Sequence, residues 1–480
     1  MGESAAAKAL PFEIPVRVGA LAALAYAMAF LAGMAREIST ALRRCAMPRL
    51  DFWHMWTAHV YGPRADCWAR EVVASPPSRE IVVRATPTST PSTALGATRQ
   101  CLNLGSYNYL GLERDFGMFD PPKNDIQGAV QGAAERALSQ HGLAQSEKSS
   151  PVIELERRLA EFLGVEAVRT CASGYSTNAT TLCALATERT LIVSDERNHA
   201  SLVAGCRLAK ARIRVFAHNN VDDLERVLAE EYLWRDDEDC GGGRSLVPFD
   251  KVILVIEGLY SMEGTVPPLA RILELRTHYP FYLWVDEAHS FGALGIRGRG
   301  ALEHCGMVQT EADVMVGTFS KAFSSIGGFV AGRRATVERI DEVSSLHCGG
   351  EVLPAAAAAH ALAVLDILSS DRGATLLARL RTNARQLREG LRSSGFVVLG
   401  DDESPVVPLM TPNPDTMVEF SRRMLDDEGV AVVVVGFPAT SILGGRVRLC
   451  VSAAHTPLDI EAATRKIERV GRLLGMNFAS

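Results

Sequence analysis

Beyond residue 100 the chain repeatedly switches between two hydrophobic periods. Short apolar runs at residues 190–193, 213–216, 252–256, 281–285 and 314–316 have the length and β-branched content of buried strands. Between them lie stretches in which apolar residues recur every three or four positions, as at 152–163 and 224–232, the spacing of one helix face. Strands alternating with amphipathic helices predict an α/β fold with a large, mostly parallel sheet. Near Gly349 the pattern changes. An alanine-rich helix from Pro354, a charged helix over 379–392, strands near Val397 and over 432–435, and a final amphipathic helix predict a smaller C-terminal α+β domain.

The amino-terminal region has neither period. Eighteen residues, 18–35, lie between Arg17 and Arg36 without a charge. A helix of that length on a soluble protein would show a polar face, so the run predicts a membrane helix at the short end of the spanning range. A signal peptide or a buried helix gives the same pattern. Arg36, Arg43, Arg44 and Arg49 outnumber Lys8 and Arg17, which orients the body of the protein to the cytoplasmic side. Trp53, Trp56 and Tyr61 then suit either a membrane interface or ordinary aromatic packing. Proline and threonine punctuate 75–78 and 86–93, and these read as an exposed connection. The expected organisation is an N-terminal segment over 1–50, a linker and arm over 51–100, a large domain over 101–348 and a small domain over 349–480.

Composition narrows the chemistry. With 480 residues, 47% of them hydrophobic, the chain can bury more than one core. A net charge of -6 offers no general attraction to nucleic acid. Ten cysteines are scattered without a Cys-x-x-Cys pair, as reduced thiols facing a cytosol would be. The acidic, glycine-rich stretch 236–243 reads as a surface insertion, and no metal site is expected.

Two segments carry reactive residues just after strand candidates. Lys321 lies in Val316-Gly-Thr-Phe-Ser-Lys-Ala-Phe-Ser-Ser-Ile-Gly-Gly328, 35 positions after Asp286 of Val285-Asp-Glu-Ala-His289. In α/β folds ligands collect beyond the carboxyl ends of such strands. A lysine amine that forms a Schiff base, with an aspartate keeping a pyridine nitrogen protonated, is the pairing a pyridoxal phosphate site needs. Thr318 and Ser320 stand beside the lysine as phosphate donors. Gly174 and Tyr175, after Ser173, open a helix behind a strand, where backbone amides can also hold phosphate.

With these residues in view, the chain resembles the α-oxoamine synthases, fold-type I pyridoxal phosphate enzymes, and among them the lysine-bearing, sphingolipid-forming branch. The resemblance runs from about residue 50 onward. It includes Leu104-Gly-Ser-Tyr-Asn-Tyr-Leu-Gly111, Ser194-Asp-Glu-Arg-Asn-His-Ala-Ser-Leu202, Glu257-Gly-Leu-Tyr-Ser-Met-Glu-Gly264 and Leu449-Cys-Val-Ser-Ala-Ala-His-Thr456. Gly436-Phe-Pro-Ala-Thr440 and the aromatic approach to Cys67 point to the branch. The resemblance implies that His199 stacks on the cofactor and meets the substrate carboxylate. It also implies that His289 and Ser261 approach the cofactor's phenolic oxygen, that Arg448 clamps the amino-acid carboxylate, and that Asn108 touches substrate. It further implies a decarboxylating condensation of L-serine with palmitoyl-CoA to 3-ketosphinganine, with Lys321, Asp286, His199 and His289 as the catalytic set. The implied setting is the endoplasmic reticulum membrane, as a homodimer or paired with a related subunit.

Two segments depart from the family's pattern. Residues 143–153 are shorter than the usual segment, and 349–354 read Gly-Gly-Glu-Val-Leu-Pro where the family has a segment whose threonine reaches a neighbouring subunit's phosphate, so that threonine is missing and an acidic Glu351 would stand beside the phosphate. Another α-oxoamine synthase, using glycine or alanine with a different acyl-CoA, or an impaired subunit that supports a partner, are the alternatives.

Overall fold

In the computed structural model the described residues are 14–61, apart from 44–50, then 67, 72–74, 79–84, 98–112, 126–141, 148–233, 249–348 and 352–478. They divide into two compact units, Tyr107–Arg381, and Met1–Ser106 together with Thr382–Ser480.

The unit Tyr107–Arg381 is built on a seven-stranded sheet. From one edge its strands are Ala167–Cys171, Gly328–Gly332, Val314–Thr318, Tyr282–Asp286, Lys251–Glu257, Thr190–Asp195 and Arg212–Phe216. Gly328–Gly332 runs antiparallel to both neighbours, and the other neighbouring pairs are parallel. Central strands such as Thr190–Asp195 and Val314–Thr318 are buried at every position, whereas Arg212–Phe216 at the edge is mostly open. That is why the central runs read as continuous apolar segments: helices cover both faces. The helices Gly174–Leu185 and Ala200–Leu208 pack closely because Gly205 has no side chain. A Cβ there would lie 2.8 Å from the Asn178 carbonyl oxygen. Leu182, Ile192, Leu202, Val255, Trp284, Val316 and Val330 form the core beneath this pair.

The unit formed by the two chain ends has a four-stranded sheet, Val72–Ala74, Glu80–Arg84, Thr98–Asn103 and Val430–Ala431, and a three-stranded sheet, Val406–Met410, Arg446–Cys450 and Val433–Val435. Its core joins Leu104, Leu387, Phe396, Phe420, Val447, Leu449 and Ile467. Sequence signals fix two of its helices. Pro414–Asp426 starts after Asn413, whose side chain accepts from Asp415 and Thr416. Pro457–Leu473 begins with a capping box between Thr456 and Asp459.

Three expectations differ from what is observed. The region near Val397 makes only an isolated bridge, Val398 to Leu409, so no strand forms there. The arm over 51–100 contributes paired strands to a sheet: Val72–Ala74 is bonded to Glu80–Arg84, which is bonded to Thr98–Asn103, and the last is parallel to Val430–Ala431. The break anticipated at 348/349 is not where the compact units divide, because the helix Ala355–Leu368 packs on Ile126–His141 and Ser150–Leu163 inside the unit Tyr107–Arg381. The connections at 75–78 and 86–93 and the insertion at 236–243 lie outside the described residues.

The uncharged run forms a helix, Val16–Arg43. Within it Val16–Thr40 is, among the described residues, the one helix long and apolar enough to cross a membrane. Its Tyr26 stacks on Trp56 at 5.5 Å between ring centroids, and Trp56 meets Phe437 at 4.9 Å. Trp56 is buried, whereas Trp53 is 57% exposed. The aromatic approach is therefore largely a packed cluster, with Trp53 at its open edge.

Candidate active site

The carboxyl ends of the central strands open into a cavity of about 400 Å³ lined by Lys321, Asp286, His199, His289, Glu257, Asn178 and the turn at Ser173–Tyr175. Thr318 and Ser320 also line it, so most of the residues singled out in the sequence come together. Ser261 and Asn108 are buried but are not among the lining residues. Arg448 is buried on the strand Arg446–Cys450 of the other unit, paired with Val433 and Pro408.

Asp286 closes its strand with its carboxylate fixed from two directions. Asn178 Nδ2 donates to Oδ2 at 2.6 Å, and the Ala288 N–H donates to Oδ1 at 2.9 Å. Asn178 reaches it from the helix Gly174–Leu185, and its amide also touches Ser201 Oγ at 3.1 Å. A buried carboxylate held in this way is pre-set as the partner of a cationic ring nitrogen.

Lys321 follows the strand Val314–Thr318, and its ammonium lies 5.6 Å from the centre of the Tyr107 ring. The turn is tied locally: Phe319 N–H donates to Gly327 O at 2.9 Å and Ser324 N–H to Lys321 O at 3.1 Å. Gly327 takes φ +96, a conformation that suits glycine. Thr318 Oγ1 donates to Gly327 O at 3.0 Å and lies 2.8 Å from Ser320 Oγ. Across from it Ser173 caps the helix Gly174–Leu185, accepting from Ser176 N–H at 3.3 Å. Hydroxyls and free helix amides thus face one space at a positive helix end, an arrangement suited to phosphate.

His289 is buried, its Nδ1 2.8 Å from Tyr109 Oη, and Tyr107 meets it edge-on at 4.7 Å. His199 caps the helix Ala200–Leu208 and its Nδ1 contacts Ser201 Oγ at 2.8 Å. The residue is open to the cavity, yet protein around the ring removes water and lowers its pKa, with Asp286 opposing and Lys321 adding to the shift. The imidazole is therefore neutral at physiological pH. Glu257, fully buried behind it, accepts from the His199 backbone N–H. Burial, and then the Asp286 charge, raise Glu257 well above the carboxylate range.

Glu257, Asn178, Ser201, Tyr107 and Tyr109 were not singled out as functional in the sequence. Glu257, Ser201 and both tyrosines lie in the quoted segments; Asn178 lies in the unremarked fifth position of a helix.

The donor set fits pyridoxal phosphate: an amine, a buried carboxylate, a neutral ring donor and an anion cradle share one cavity, and a Cβ at Gly174 would lie 2.6 Å from Thr318 Oγ1. Comparison with known proteins agrees. Residues 99–467 match the family described as aminotransferase class I and II, and the chain belongs to that family. Serine palmitoyltransferase 2 of Dictyostelium discoideum is 35% identical over 442 residues, covering 89% of this chain and 86% of its own length. Long chain base biosynthesis protein 2a of Arabidopsis thaliana is 38% identical over 421 residues, 86% of this chain and 83% of its own. The solved Sphingomonas wittichii serine palmitoyltransferase superposes with a TM-score of 0.73 at 26% identity, over 88% of this chain and 99% of that one. A serine palmitoyltransferase structure holding pyridoxal phosphate gives 0.72 at 26% identity, over 89% and 100%. Within the family the chain stands among the serine palmitoyltransferases, and pyridoxal phosphate is its cofactor.

Proposed function

We propose that this chain is the catalytic, lysine-bearing subunit that condenses L-serine with palmitoyl-CoA, releasing CoA and carbon dioxide and forming 3-ketosphinganine, the first step of sphingolipid synthesis. The convergence of Lys321, Asp286, His199 and His289 on one cavity is the observation that carries the reading. The bound cofactor supplies an electron sink that makes the serine Cα acidic. Lys321 Nζ takes the Cα proton, and Asp286 holds the proton on the ring nitrogen so that the sink stays effective. His199 covers the site as a neutral ring, and its Nδ1 contact with Ser201 fixes its orientation. His289, oriented by Tyr109, polarises the thioester carbonyl. The Cα–acyl carbon bond forms as the carbon–sulfur bond breaks. Loss of the carboxylate as carbon dioxide leaves an electron pair at Cα, which takes a proton from Lys321.

Arg448 is the proposed clamp for the serine carboxylate, for which a planar guanidinium is well suited. Thr318, Ser320 and the Gly174–Tyr175 turn are the proposed phosphate donors, with Ser261 and Asn108 in supporting positions. A membrane anchor at Val16–Thr40 suits an acyl donor and product that partition into lipid, and the endoplasmic reticulum with the body facing the cytoplasm is the proposed location. The proposed assembly is a homodimer or a pair with a related subunit.

The test is a product assay on the purified full chain, alone and with candidate companion subunits, using serine, glycine and alanine against palmitoyl-CoA and shorter acyl-CoAs. Serine- and palmitoyl-CoA-dependent 3-ketosphinganine is expected. Preference for glycine or alanine would reassign the reaction, and no product with any companion would make the chain a supporting subunit.

A further inference from the structure

Away from the cavity, Glu37, His54 and His59 form a cluster that the condensation does not use. Both imidazoles aim Nε2 at one carboxylate oxygen, Glu37 Oε1, at 3.1 Å from His54 and 3.0 Å from His59. The three ligand atoms lie within 4.8 Å of one another. The His59 side chain is 7% exposed, those of His54 and Glu37 26% and 22%, so the cluster is sheltered but reachable.

Local structure explains the convergence. Residues five apart in an α-helix point about 140° apart, which would send His54 and His59 to different sides. Here Phe52–Met55 passes into a π-helix, Trp56–Tyr61, and its wider turn swings the later histidine back toward the earlier one. The ring planes stand at 87° with centroids 6.4 Å apart, so the imidazoles do not stack, and both reach the same carboxylate oxygen through Nε2. Glu37 comes from the helix Val16–Arg43 and completes the set. Gly33, one turn earlier, lets that helix pass over His59: a Cβ there would lie 2.5 Å from His59 Cγ. The packed rings of Tyr26, Trp56 and Phe437 hold the two segments together beside the cluster.

We propose that Glu37, His54 and His59 bind a divalent metal ion of the zinc class, clipping the apolar helix to the segment that follows it. Two neutral imidazoles and a carboxylate, with a fourth position for water, are a borderline-soft set that suits zinc. Zinc–ligand distances near 2.0–2.2 Å imply donor separations of about 3.3 Å in a tetrahedral site. The two Glu37–histidine separations, 3.1 and 3.0 Å, need to open by only a few tenths of an ångström, and the two histidine nitrogens, within 4.8 Å of each other, need to settle to the same spacing around the ion. The ordinary alternative is a pair of hydrogen bonds from the imidazoles to one carboxylate, with no ion.

The experiment uses the full chain in detergent, loaded with its cofactor, stripped by chelator and titrated with zinc or with cobalt(II) as a spectroscopic probe. One zinc per chain surviving gel filtration, and the visible bands of four-coordinate cobalt, are expected. His59→Gln, Glu37→Gln and His54→Gln should each weaken zinc binding by more than about tenfold. They should leave the cofactor's visible absorption unchanged, which also reports that each variant is folded. His54→Gln, at the most open of the three positions, guards against misfolding of the others. Zinc uptake equal in wild type and variants, or wild type without a four-coordinate cobalt spectrum, overturns the proposal.

Discussion

The phosphate cradle can be tested by adding one carbon. In Gly174→Ala the new Cβ would lie 2.6 Å from Thr318 Oγ1, 2.9 Å from Thr318 Cβ and 3.6 Å from Gly327 O. Thr318 is 5% exposed and its hydroxyl is held by Gly327 O and Ser320 Oγ, so it has little room to yield. Overpacking of this kind costs about 1–3 kcal/mol. Relief by turning the hydroxyl away gives up two hydrogen bonds worth roughly 0.5–1.5 kcal/mol each and removes a phosphate donor. Either route falls on the proposed phosphate site, and about 1–3 kcal/mol corresponds to roughly 5- to 150-fold weaker cofactor binding. Equilibrium dialysis followed by visible absorbance would measure it in wild type, Gly174→Ala, Thr318→Ala and the double variant. The two changes should combine less than additively, because Thr318→Ala removes the nearest colliding atom. Wild-type cofactor affinity and melting temperature in Gly174→Ala would mean that the phosphate is held elsewhere.

Lys321→Ala should abolish the cofactor's characteristic visible band and all turnover; retention of both would defeat the central assignment. Burial raises the Glu287 carboxyl to about 7, so below that pH it is neutral in the folded chain, while the unfolded chain ionises near 4.5. Its contribution to stability is complete below about pH 4.5 and falls by about 3 kcal/mol as the pH rises through 7. Melting curves of Glu287→Gln should lack that part of the decline, and parallel profiles for wild type and variant would refute it. Removing residues 1 to 45 should release the protein from membranes with its cofactor band intact, and undiminished membrane association would show that another surface anchors it.

The seven-stranded sheet was legible because its strands are buried on both faces, so each appears as an uninterrupted apolar run that periodicity can detect. The unit made from the chain ends was harder to see. Its short strand Val430–Ala431 pairs with Leu102 and Asn103 across more than 300 residues, and nothing local to either partner marks that pairing. The helix Ala355–Leu368 was legible as a helix but not as part of the unit Tyr107–Arg381. Its alanines allow close approach to Ile126–His141 without specifying a partner. At the N-terminus the uncharged run gave the helix but not its packing. Tyr26 has one side against Trp56, while Leu21, Leu24, Met28 and Leu31 are each more than half exposed. A helix that packs through one stripe and leaves its large apolar side chains open is consistent with the proposed lipid contact.

Lys321, Asp286, His199 and His289 were legible for a related physical reason: each lies at or just beyond a strand end, where a short motif announces both the strand and the reactive group. Their supports carry no such mark. Asn178 sits mid-helix, and only the close packing of Gly174–Leu185 in the fold brings its amide to 2.6 Å from Asp286. Glu257 ends a strand in a recognisable motif, yet its neutrality follows from complete burial behind His199 and beside Asp286, which no linear pattern encodes. A sequence therefore identifies the groups that react more readily than the groups that set their charge. In this site the second set determines whether the first can work. A Glu257 held protonated by burial adds no second charge beside Asp286, the carboxylate that Asn178 and the Ala288 N–H hold in place and that is proposed to face the cofactor's ring nitrogen.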